Sequence, residues 1–214
     1  MAAFLANVGV NASHRVASPL HPDGTFKLVP IPERMAWAPP MLRLPEAWGD
    51  RAVHLDPDLI SPIATYGDNC RRAARAFSLR RAEAGDVVVF LARLSGPTGA
   101  ALHLVGVLEV EAVLADVMCD PGPGWWDANA HVRRARARDE WDSFWIFRGS
   151  ARSRLLERAI PFTLELARAT LQMTPNRART EQQTIASHTR AVRRLTGAGE
   201  HLLRELCPPA ISRS

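Results

Sequence analysis

Two rhythms of apolar and polar positions divide this chain. Through residue 152 the apolar residues come in short runs closed by Gly, Pro or Asp. Phe4-Leu5-Ala6-Asn7-Val8-Gly9-Val10 alternates only loosely, as a strand buried on both faces does. The turn Pro22-Asp23-Gly24 leads into Phe26 to Pro32, which predicts a second, proline-ended strand. Residues 33–63 hold many prolines together with Trp37 and Trp48 and show no helical period, so they predict a long ordered loop. Asp68 to Arg81 has helical composition, with Asp68 placed to cap it. After Gly85-Asp86, Val87 to Ala92 and Leu102 to Val110 flank the turn segment Ser95-Gly96-Pro97-Thr98-Gly99. Those two β-branched runs predict a hairpin.

Further on, Asp127 to Asp139 reads as a short helix or polar loop, and Ser143 to Arg148 as a strand. From Ser153 to Leu206 the period becomes helical. Ile160, Leu164, Leu166, Ala167 and Leu171 stripe one segment, and Ile185, Ala186, Val192 and Leu195 another, separated by Pro175. The expected fold is α/β (α+β): a small mixed β-barrel body over residues 1–152, with a helical segment 153–214 packed on it.

Composition narrows the functional classes. A chain of 214 residues can bury a substantial core. It contains no run of about 18 apolar residues able to span a bilayer. The apolar start lacks a basic leader, which predicts a cytoplasmic protein without membrane partners. Cys70, Cys119 and Cys207 are odd in number and far apart, unlike a disulfide framework or a metal knuckle. The net charge is +5, and Lys27 is the one lysine among 27 basic residues. A high-GC genome explains the arginine bias itself, but the planar fork of arginine also suits phosphates and base edges.

Recognisable catalytic chemistry is missing from the sequence. It has no glycine-rich phosphate loop, no His-Glu-x-x-His and no zinc-deaminase pairing of His-x-Glu with Cys-x-x-Cys. Thr25 stands two positions before Lys27, where a magnesium-dependent nuclease carries an acid. Neither a metal site nor a cofactor is therefore expected, although Asp23, Asp56 and Asp58 remain isolated carboxylates.

The segments Asn7 to His14, Ser18-Pro19-Leu20 and Pro22 to Glu33 carry a resemblance to a known family. Tyr66-Gly67-Asp68, Gly85-Asp86, Gly106 with Val110, Asn129-x-His131 and Phe147-Arg148-Gly149-Ser150 with Ser153 extend it. Together these residues resemble the nucleotide modification associated domain family of the third type, over nearly the whole chain. Lys27 stands where that pattern has an acidic residue. The hairpin that runs from Gly85-Asp86 to Gly106-x-x-x-Val110 also looks like the centre of PUA-like barrels, including the EVE and ASCH groups. The resemblance implies a protein of base-modification systems, linked to bacterial defence, and nucleic acid as partner, DNA before RNA.

Recognition of an unstacked base needs aromatic faces and polar groups for its edge. The candidates are Asn7, Asn11, Ser13, His14, Asp23, Tyr66, Asp68, Trp125, Trp126 and His131. Tyr66 is the preferred stacking ring, its alternative being a hydroxyl that ties down a loop. Trp125 and Trp126 follow Pro121-Gly122-Pro123-Gly124 and either stack a base or plug the barrel end. Arg133, Arg134, Arg136, Arg148, Arg190 and Arg193 are the expected phosphate contacts. Three readings follow: a base-binding module, which ranks first; an enzyme of a base-modification pathway; and an interaction subunit of a modification or defence complex.

Overall fold

The computed structural model describes residues 1–8, 17–32, 53–69, 74–174 and 178–208. It is an α+β fold built on one mixed sheet of eight strands. The strands are β1 (Ala3–Val8), β2 (Ser18–Pro19), β5 (Thr65–Asp68), β6 (Val87–Gly96), β7 (Gly99–Val117), β8 (Phe144–Gly149), β9 (Arg154–Pro161) and β10 (Arg193–Leu195). A separate ribbon pairs β3 (Ile31–Pro32) with β4 (Val53–His54). The helices are α1 (Ala130–Arg138), α2 (Leu164–Leu171), α3 (Glu181–Thr189) and α4 (Ala198–Leu206), and a 3-10 helix spans Ala74–Arg81.

The hairpin forms where the pattern predicts it. Strands β6 and β7 pair antiparallel up to Gly96 and Gly99, which leaves Pro97-Thr98 as the turn. The other edge of β6 pairs in parallel with β1. A parallel strand covered on both sides needs a continuous apolar run, which Val87 to Ala92 supplies. Phe4, Val88, Phe90 and Trp145 point to one face with Tyr66, Phe147 and Leu79 of the 3-10 helix. Leu5, Val87, Val89, Leu91 and Leu104 point to the other, where Ala167 of α2, Ile185 of α3 and Leu203 of α4 cover them. A third cluster joins Val132 and Ala135 of α1 to Val117, Phe144 and Ile146.

The 19-residue strand β7 organises the sheet. One edge takes β6, and the other takes β8 and β9 laid end to end. The expected barrel does not close: among the described residues the hydrogen-bonded path runs from β10 to β5, with both ends open.

Three segments differ from the sequence pattern. Residues Phe26 to Pro32 give only a bridge at Phe26 and the short β3. Arg154–Pro161, expected as helix, is β9, and the expected second helical stripe ends at Thr189, so Arg193–Leu195 is an edge strand on β1. Thus the C-terminal third contributes strands to the main sheet as well as helices. Helices α2 and α3 begin at conventional caps: Thr163 accepts from the amide of Leu166, and Thr180 forms a capping box with Gln183. Among the described residues no helix is long and apolar enough to cross a membrane.

Candidate functional site

The site grows from the short strand β5, whose four residues are all buried. Helix α1 packs across it, and Asn129 starts that helix. The Asn129 Oδ1 accepts from the amide of His131 at 2.9 Å, while its Nδ2 donates to Thr65 Oγ1 at 3.0 Å. One side chain therefore caps α1 and pins it to β5. The His131 ring lies directly on Gly67, where an added Cβ would sit 2.4 Å from His131 Cδ2. Only glycine lets the imidazole come so close to the strand.

Both nitrogens of His131 are engaged. Nε2 lies 3.3 Å from Asp56 Oδ2, and the other Asp56 oxygen accepts from the amide of Gly67 at 3.0 Å. Nδ1 lies 3.0 Å from Nη2 of Arg134, one turn further along α1. Arginine only donates, so Nδ1 accepts and the ring proton sits on Nε2, facing the carboxylate. The result is a directed chain, Gly67 amide and His131 onto Asp56, and Arg134 onto His131. Asp56 and His131 are 13% and 12% exposed, so the chain is shielded from competing water.

Arg134 also lines a cleft of about 360 Å³ between the β3–β4 ribbon and α1. Its walls are Ile31, Pro32, His54, Arg134, Arg138, Glu140 and Asp142. Arg138 pairs with Glu140 at 2.9 Å on the solvent side. Fixed donors and carboxylate acceptors thus face a single space.

The model of nucleotide modification associated domain 3 matches residues 3–203. The chain belongs to that family. A comparison with curated proteins finds none that matches this chain. Membership links the chain to nucleotide modification, and two family-like segments, Tyr66-Gly67-Asp68 and Asn129-x-His131, meet where His131 contacts Arg134 of the cleft wall.

A third, Phe147-Arg148-Gly149-Ser150 with Ser153, holds the junction between β8 and β9. There Ser150 Oγ donates to Glu109 Oε2 at 2.6 Å, and Ser153 Oγ accepts from the Glu109 amide at 3.1 Å. A Cβ on Gly149 would lie 2.4 Å from Ser153 Oγ, so the junction closes only around glycine.

The other expected site residues separate. Tyr66 is 2% exposed, edge-on to Phe90 and stacked on Phe147, with its hydroxyl donating to Asp68 Oδ2 at 3.0 Å. Its ring is core, not an open stacking face, and Asp68 ends β5. Trp125 and Trp126 meet edge to face at 5.3 Å, half-buried on the α1 cluster, and Trp126 Nε1 donates to the Gly122 carbonyl at 2.9 Å. Asn7 is exposed on β1. Asp23 is turned onto its own loop, where the hydroxyl and amide of Thr25 hold its carboxyl below the usual range, and it shares no bond with His131. Asn11, Ser13 and His14 lie outside the described residues, as do Trp37 and Trp48.

The arginines also divide. Arg136 grips Asp120 at 2.9 Å and Asp127 at 2.9 Å, which raises its own pKa and lowers the Asp120 carboxyl, while the Gly124 amide and then Arg136 lower that of Asp127, so it fastens the 120–127 loop. Arg148 pairs with Glu111 at 3.0 Å. Burial pulls the Arg133 pKa down. Arg190 is the C-cap of α3 and Arg193 stands on β10, so the two belong to different elements. Sequence reasoning had no grip on His54, Glu140 and Asp142, and left Asp56 an isolated carboxylate. The segment around His54 and Asp56 has no period, so the spacing His54-x-Asp56 was the only available signal.

Proposed function

We propose that this family member reads a nucleobase, unpaired or flipped from its stack and modified in its natural target, in the cleft between the β3–β4 ribbon and α1. The observation that carries this reading is that Gly67 and Asn129 hold His131, and His131 in turn holds Arg134 at the cleft wall. A guanidinium held by a buried relay is fixed in position and direction at the cleft wall, as recognition of a base edge or phosphate requires. Glu140 and Asp142 supply acceptors for exocyclic amino groups. The cleft falls within the range of about 300–1,000 Å³ usual for small-ligand sites.

The engagement of both His131 nitrogens favours a reader over an enzyme, because neither is left to exchange a proton with a substrate. Anisotropy titrations with short oligonucleotides, unmodified and modified, test the proposal. Arg134→Ala should weaken the modified target about ten-fold. His131→Gln should reproduce part of that loss. Absence of binding to any oligonucleotide at low salt would refute the reading and direct attention to free nucleotides and catalysis.

A further inference from the structure

A second surface has the chemistry of a strand-binding track, at the open β10 edge and apart from the cleft. The 3-10 helix lies on the sheet face opposite α2 to α4, since Leu79 joins the Phe4–Trp145 cluster. Its Phe77 is 52% exposed. The guanidinium carbon of Arg80 sits 4.9 Å from the Phe77 ring centroid and 5.6 Å from that of Trp145. Arg80 is therefore held over an exposed ring, and Arg81 follows it, also exposed. Ser78 Oγ donates to the Val192 carbonyl at 2.8 Å, which docks this helix on the segment entering β10.

Register brings a third arginine to the same side. Arg194 opposes Phe4, and residues opposed in an antiparallel pair share a face. Phe4 belongs to the cluster that contains Leu79, so Arg194 emerges beside the 3-10 helix. Among the described residues Arg80, Arg81 and Arg194 form no ion pairs, whereas Arg136, Arg138, Arg148 and Arg152 each hold a carboxylate. Glu83, two positions after Arg81, is the acid nearest in sequence.

We propose that Phe77, Arg80, Arg81 and Arg194 bind single-stranded nucleic acid, with bases stacking on the Phe77–Arg80 pair and phosphates meeting Arg81 and Arg194. An unpaired strand is favoured over a duplex or an acidic protein because only unstacked bases offer a π-face to an exposed ring. This rests on the nucleic-acid reading above, but not on the cleft. The track feeds a strand to the protein; the cleft inspects one base of it.

The test is anisotropy with short unmodified single-stranded DNA and RNA over a salt series, using the full chain and checking each variant's fold by circular dichroism. Phe77→Ala should bind about ten-fold more weakly. The double variant Arg81→Gln/Arg194→Gln should flatten the slope of log affinity against log salt by about 1.4, two phosphate contacts at about 0.7 each. Wild-type affinity and slope in both track variants would overturn the track and leave the cleft reading intact, since that reading rests on a modified target and its loss in Arg134→Ala. No binding by the wild-type chain would overturn both.

Discussion

Replacing Gly67 by alanine probes the site without removing any functional group. The new methyl would lie 2.4 Å from His131 Cδ2, 3.1 Å from Nε2 and 3.2 Å from Asn129 Oδ1. Gly67 sits in the extended strand β5 and its φ is not positive, so the whole cost arises from contact. Forcing a methyl into such a space costs about 1–3 kcal/mol. If the ring swings away, loss of its bonds to Asp56 and Arg134 adds about 1–2 kcal/mol. Urea denaturation of a double-mutant cycle with His131→Ala isolates the cause. Removing the imidazole takes away the two nearest contacts and leaves the Asn129 oxygen at 3.2 Å as the nearest, so Gly67→Ala should cost at least about 1 kcal/mol less in that background. An equal penalty in both backgrounds would refute the claim that Gly67 is there to admit His131.

Three other expectations test the electrostatics and the core. Burial lowers the His103 pKa, so between that lowered value and the usual imidazole value of about 6.5 the unfolded chain binds more protons, and stability rises with pH. His103→Gln should flatten that part of the stability–pH curve, measured by urea midpoints across the window. Asp120 and Asp127 titrate low chiefly through hydrogen bonds from Arg136 and the Gly124 amide, a contribution present above the ordinary carboxylate pKa and lost as pH falls through the lowered values. In an NMR titration Arg136→Gln should raise both. The Cys207 thiol is buried and pushed up to about 12, whereas Cys119 is exposed, so in a Cys70→Ser background a thiol reagent should label Cys119 at once and Cys207 only on unfolding.

The central hairpin was legible because burial on both faces demands apolar, β-branched runs, and Val87 to Ala92 can be little else. Strand β9 was not, for a traceable reason. Its buried side chains Leu156 and Ala159 stand three apart, a helical spacing, because the register against β7 shifts between Leu104 and Gly106. Strand β10 is too short to show any period, and its two arginines follow a helix without a break in composition. In the site, Asn129 and His131 could be found as a local pair. Asp56 could not, because its partner lies 75 positions away and nothing in the intervening pattern joins them. Arginine clusters were visible as such, but which arginines are already committed to carboxylates depends on loop closure, as Arg136 with Asp120 and Asp127 shows.

The end-to-end arrangement of β8 and β9 along β7 bears on how this chain can be cut. Serine 153 falls between the two strands, at the change of rhythm where a boundary invites truncation. A fragment ending there would lose β9 from the middle of β7 and β10 from β1. It would carry two bare rows of amide and carbonyl groups beside uncovered aliphatic side chains, a template for edge-to-edge association. Shortened versions made for binding work should therefore keep the chain through α4, and aggregation of a body-only fragment would report a missing seam in the sheet rather than a missing ligand.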